Sequence, residues 1–131
     1  MSENRRRTLG RLGEQAAASH LKRLGFSVLE RNVRTRHGEI DLIAFDGHTL
    51  VFAEVKARLI AAHQQTIRAD QEPLSGLSVR QRTRLRRLAA AWLRDARCER
   101  PSAHTIRFDA IGVILDTHGT LRRLDHVEAA W

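Results

Sequence analysis

The sequence predicts an α/β domain with a mixed central sheet flanked by helices, and three observations lead there. An early stretch carries helical apolar spacing, two strand-like runs flank Asp46-Gly47-His48, and a second amphipathic helix precedes two more strand-like runs. At 131 residues and 42% hydrophobic content the chain fits one packed core. Residues 9–131 are expected to form that single domain, and residues 1–8 a basic, flexible leader.

From Leu9 to Leu24 the residues Leu9, Leu12, Ala16, Leu21 and Leu24 recur at roughly helical intervals, and Gly25 stands where a left-handed C-cap belongs. Phe26 to Asn32 reads as a short strand and Thr35 to Gly38 as a turn. Glu39 to Phe45 and Thr49 to Ala57 form the clearest pattern, a β-hairpin whose runs are apolar at most positions, as in central strands covered on both faces. Leu59 to Ser78 lacks periodicity and contains Pro73 and Gly76, so a mobile loop with room for one helical turn, able to close over a substrate, is expected. Val79 to Arg97 places Leu85, Leu88, Ala89, Trp92, Leu93 and Ala96 on one helical stripe, with arginines filling much of the other face. Past Pro101, Ile106 to Leu115 and Thr120 to Val127 read as strands around a turn at residues 116–119.

A formal charge of +8 favours polyanionic partners, because Lys and Arg displace counterions from phosphates. Of the 23 basic residues only Lys22 and Lys56 are lysine, so the compact ammonium of Lys56 stands out against an arginine bias. Cys98, the only cysteine, cannot form an intramolecular bridge, which suits a reducing cytoplasm. Neither a secretory signal nor a run of membrane-spanning length is legible, and a cytoplasmic protein without a membrane partner is expected.

Into the apolar hairpin the sequence inserts Asp41, Glu54 and Lys56. Residues two apart on a strand share a face, so Glu54 and Lys56 are neighbours, and Asp41 joins them if the hairpin register sets it beside Glu54. Two carboxylates and an ammonium are costly to bury unless a cation binds, and Mg²⁺ or Mn²⁺ would meet that need with oxygen ligands. Phosphodiester hydrolysis uses these parts: a metal held by Asp41 and Glu54, the backbone carbonyl of Val55 as a further ligand, and Lys56 serving the attacking water. Glu14, at the border of the first helix's apolar face, is placed to complete the metal set. The blander alternative is a structural ion pair of Glu54 with Lys56 or Arg58.

At Gly13-Glu14, Gly38-Glu39-Ile40-Asp41-Leu42-Ile43, Glu54-Val55-Lys56 and Arg107-Phe108-Asp109 the chain resembles the bacterial UPF0102 (YraN-like) family. That resemblance implies a restriction-endonuclease-like domain of the PD-(D/E)xK superfamily, similar in arrangement to archaeal Holliday-junction resolvases. It implies Glu14, Asp41, Glu54 and Lys56 as site residues. Gln81 departs from the pattern, standing where a lysine is expected at the start of the second long helix.

Arg80, Arg82, Arg84 and Arg87 are candidates to track a nucleic-acid backbone, set against a plain solvated helix face. The seven histidines lack paired ligand spacing, which argues against zinc, and His37 reads as a polar turn residue. Arg107 and Asp109 share a strand face and are expected to pair structurally. The resulting expectation is a metal-dependent, endonuclease-like hydrolase acting on DNA ahead of RNA, for which a homodimer would suit paired cuts. The alternative is a noncatalytic nucleic-acid-binding or partner-binding module on the same fold.

Overall fold

The computed structural model describes residues 2–95 and 101–131. Helix α1 (Glu3–Arg23) is followed by strands β1 (Ser27–Thr35), β2 (Gly38–Phe45) and β3 (Thr49–Ile60), helix α2 (Val79–Arg94), and strands β4 (Thr105–Asp116) and β5 (Leu121–Val127). The strands form one five-stranded sheet in sequence order, with β3 and β4 parallel and the other neighbours antiparallel. The expected mixed α/β architecture is therefore present. The predicted continuation of α2 through Ala96 and Arg97, and Cys98, lie outside the described residues.

Each sheet face receives one helix. Ala17, Ala18 and Leu21 of α1 pack with Leu42, Ala44, Val51, Ala53, Ile111 and Val113. Leu85, Leu88, Ala89 and Trp92 of α2 pack with Ile40, Ile43, Leu50 and Phe52 on the other side. Burial on both faces explains why the β2 and β3 sequences are nearly continuous apolar runs. Alpha-helix α1 lies so close to the sheet that a Cβ at Gly13 would stand 2.7 Å from Ala57 Cβ. Glycine is required there for the approach, which also brings the neighbouring Glu14 down to the sheet.

Two expectations are corrected. Alpha-helix α1 starts at Glu3, because the Ser2 side chain accepts the Arg5 N–H and Glu3 supplies an acid in the first turn. Arg5, Arg6 and Arg7 therefore belong to a capped helix and not to a flexible leader. The segment expected to be a mobile loop is packed down. It holds two short 3-10 turns, Ala69–Gln71 and Pro73–Gly76, and a Cβ at Gly112 of β4 would come within 2.9 Å of the buried Pro73. Arg122 of β5 donates to the Ala62 carbonyl, and Arg123 grips Glu72. Contacts distant in sequence hold this segment, and local periodicity carries no trace of them. No helix among the described residues is long and apolar enough to cross a membrane.

Candidate functional site

The site forms where β2 and β3 part. Their last pair is Leu42 with Ala53, although both strands continue. Asp41 and Glu54 are the next residue on each, so the register does place them side by side. Past that point the Val55 amide is satisfied by a side chain: Val55 N–H donates to Asp41 Oδ2 at 2.8 Å. Sequence reasoning singled out the Val55 carbonyl, whereas the contact seen here is through its nitrogen. On the same strand Lys56 Nζ lies 3.3 Å from Glu54 Oε1, both side chains partly buried.

Glu14, Glu39 and Asp41 each offer a carboxylate oxygen, and the three atoms lie within 4.8 Å of one another. Glu39 was absent from the predicted set, although it shares a strand face with Asp41 by the two-residue period, and that signal could have found it. Glu54 stands outside this trio yet acts on it electrostatically. Burial, and then the charge of Glu54, push the Asp41 carboxyl up to about 8; Glu14 and Glu39 add to the rise, and the Val55 amide opposes it. Burial likewise raises Glu14, partly offset by a hydrogen bond from Asn32. Asn32 holds that position in the left-handed region at φ 50°, which asparagine tolerates better than most residues.

The donor set fits a hard divalent cation. Three oxygens within 4.8 Å suit metal–oxygen bonds of about 2.0–2.6 Å on a shared ion. Burial first, and then the charge of Glu54, push the Asp41 carboxyl to about 8, so a cation placed there would relieve both. Among the described residues this is the one such group, and it contains no histidine.

Two adjoining recesses share Arg84 and Leu88, and the smaller of them reaches the carboxylates. One, of about 320 Å³, is lined by Gly38, Glu39, Asp41, Glu54, Gln81 and Arg84, with Leu85 and Leu88 behind. Gln81 is the third residue of α2 and closes its cap: its Oε1 accepts from Ser78 N–H while its own N–H donates to Ser78 Oγ. A groove of about 770 Å³ continues along α2 past Arg80, Arg84, Arg87, Thr35 and His37. Arg80, Arg84 and Arg87 share a stripe through their i, i+4, i+7 spacing. Arg82 points elsewhere because it lies roughly 200° around the helix from Arg80. Its Nε is buried and unpartnered among the described residues.

Away from the site, the expected Arg107–Asp109 pair is present and bidentate, at 2.8 Å for both bonds. It extends into a network, with His126 Nε2 at 2.7 Å from Asp109 Oδ2 and the Ala129 amide donating at 3.1 Å. His20 Nε2 meets His126 Nδ1 at 3.0 Å.

The sequence profile of the uncharacterised protein family UPF0102 matches residues 13–113, which include Glu14, Glu39, Asp41, Glu54 and Lys56. A UPF0102 protein of Pelotomaculum thermopropionicum is 40% identical over 126 residues, covering 96% of this chain and 97% of its own length. One from Acidothermus cellulolyticus is 40% identical over 116 residues, 83% of each chain. Another from Geotalea daltonii is 37% identical over 129 residues, spanning 98% of this chain and 93% of the relative. The chain therefore belongs to the UPF0102 family.

Proposed function

We propose that this protein is a metal-dependent nucleic-acid phosphodiester hydrolase, an endonuclease-like enzyme of the PD-(D/E)xK type acting on DNA in the cytoplasm. The observation carrying this reading is the partly buried Asp41 among Glu14, Glu39 and Glu54, in a cleft faced by arginines. So many acids facing one point are unfavourable alone and favourable around Mg²⁺ or Mn²⁺. A bound divalent cation would supply Lewis-acid polarisation and charge neutralisation at the scissile phosphate.

The chain's own groups divide the remaining work. Glu14, Glu39 and Asp41 would hold the cation, with Glu54 beside them. Lys56, tethered to Glu54, orients the attacking water and offsets charge that accumulates on the phosphate in the transition state. Arg84 reaches both the site recess and the α2 groove, where Arg80 and Arg87 continue the phosphate path. A homodimer would place two such sites for paired cuts.

The test is cleavage of labelled single-stranded, duplex, flapped and four-way-junction DNA with Mg²⁺ or Mn²⁺, comparing the parent with Lys56→Ala and Glu54→Gln. Cleavage by the parent that both variants lose supports the hydrolase. Salt-sensitive binding of the panel without any cutting would favour the binding module, in which the Lys56–Glu54 pair is structural.

A further inference from the structure

A third recess, of about 530 Å³, opens on the α1 side of the carboxylates. Arg7, Gly10, Arg11 and Glu14 of α1 line it, together with Asn32 and Arg34 of β1 and Glu39 of β2. Glu39 thus borders both this recess and the one under α2. Arg7, Arg11 and Glu14 have i, i+4, i+7 spacing, so they form one stripe that runs about 10 Å along the helix. At 3.4 Å per nucleotide of duplex rise, this length matches roughly three nucleotides. Gly10 leaves its floor open, since a Cβ there would meet nothing within 4 Å.

The cations of this wall are available. Arg11 makes no ion pair among the described residues. Among the described residues Arg7 pairs only with Glu3, at 3.3 Å, and both side chains are exposed. Arg34 contacts Glu39 at 3.4 Å while remaining 83% exposed. Exposed pairs of this kind are worth about 0–1 kcal/mol and yield readily to a phosphate. The Ser2 cap holds Arg7 within an ordered helix, at a defined distance from Glu14.

We propose that Arg7, Arg11 and Arg34 form a second phosphate-binding wall, opposite the Arg80, Arg84 and Arg87 groove across the carboxylates. The strand is then gripped on both sides of the scissile position, and the substrate is an internal phosphodiester in a strand that continues both ways. This inference rests on the hydrolase reading and adds to it a second binding wall and the path of the strand past the carboxylates.

The experiment has two arms. The first measures binding of a fluorescent DNA by anisotropy across a salt series, with Ca²⁺ in place of Mg²⁺. The parent is compared with R7Q/R11Q, R7K/R11K and R80Q/R87Q. Each neutralised phosphate contributes about 0.7–0.9 to the slope of log affinity against log salt. R7Q/R11Q should therefore lower the slope by roughly 1.4–1.8 and weaken binding about tenfold or more at moderate salt. R80Q/R87Q should do the same, and R7K/R11K should keep the parental slope because the charge is retained. In the second arm, the panel member that the parent cuts is remade with its ends closed by hairpin loops, and it should still be cut. A parental slope in R7Q/R11Q overturns the inference and leaves the endonuclease-like reading standing, whereas cleavage that needs a free end overturns both the two-sided grip and the endonuclease-like reading and leaves only metal-dependent hydrolysis. A parent that neither binds nor cuts any panel member removes both.

Discussion

Replacing Asp41 by Asn should stabilise the metal-free protein in mild alkali while removing its response to divalent cations. The Asp41 carboxyl is pushed up to about 8, by burial first and then by the charge of Glu54. An unfolded aspartate titrates near 4, so folding takes up a proton at any pH between the two values. The stability that the neutral acid contributes is fully present below about pH 4 and is lost as pH rises through about 8. At about 1.4 kcal/mol per pH unit, the gap of roughly four units bounds the loss near 6 kcal/mol. Between about pH 5.5 and the folded value, roughly 3 kcal/mol of that is in play. The side chain is partly solvated at the cleft, so a measured difference of about 1–2 kcal/mol is expected. Asparagine keeps an oxygen for the Val55 amide but cannot ionise. Urea denaturation at about pH 5.5 and about pH 8.5 provides the comparison, and the parent should lose about 1–2 kcal/mol more than Asp41→Asn between them. Adding Mg²⁺ or Mn²⁺ at the higher pH should restore the parent and leave the variant unchanged. Equal pH slopes in the two proteins, or an intact metal response in the variant, would refute the electrostatic account of the cleft.

Two further perturbations probe how the site is held. Gly13→Ala brings a Cβ to 2.7 Å from Ala57 Cβ, so α1 must shift away from β3 and carry Glu14 with it. We expect a loss of about 1–3 kcal/mol in denaturant titrations, together with weaker Mn²⁺ stabilisation of the variant. At Asp109, burial pushes the carboxyl up, yet hydrogen bonds from His126, Arg107 and Ala129 outweigh that and hold it below the usual carboxylate range. Its contribution to stability is therefore present above about pH 4 and lost as pH falls through the lower folded value. Asp109→Asn leaves Arg107 with only the more exposed Glu128 as a carboxylate partner and should cost about 1.5–3 kcal/mol at neutral pH. An acid titration followed by circular dichroism should show a flatter acid limb in that variant than in the parent.

Much of this protein is legible in its residues. Binary pattern alone locates both helices and the strands. The sequence left the central hairpin's register open; the structure sets it, with Asp46 accepting the His48 and Thr49 amides in the short turn and Leu42 pairing with Ala53. Parity on β3 then makes Glu54 and Lys56 neighbours, as found. Glu39 was equally accessible by parity with Asp41, but it sits beside a polar turn, where an acid attracts no notice.

Of the remaining features one is a local cap, and the others depend on contacts between residues far apart in the chain. The Ser2 cap turns an apparent leader into helix, because one side-chain oxygen satisfies an amide that composition does not reveal. The segment after β3 is held by Gly112, Arg122 and Arg123, all well downstream of it. Helix α1 reaches the carboxylates only because Gly13 meets Ala57 at close range, and that juxtaposition sets Glu14 near Asp41 and opens the recess lined by Arg7 and Arg11. Local periodicity determined the elements and the faces they bury, since those follow from backbone geometry. Which charges converge was decided by packing in three dimensions, where single close approaches between distant residues choose the neighbours.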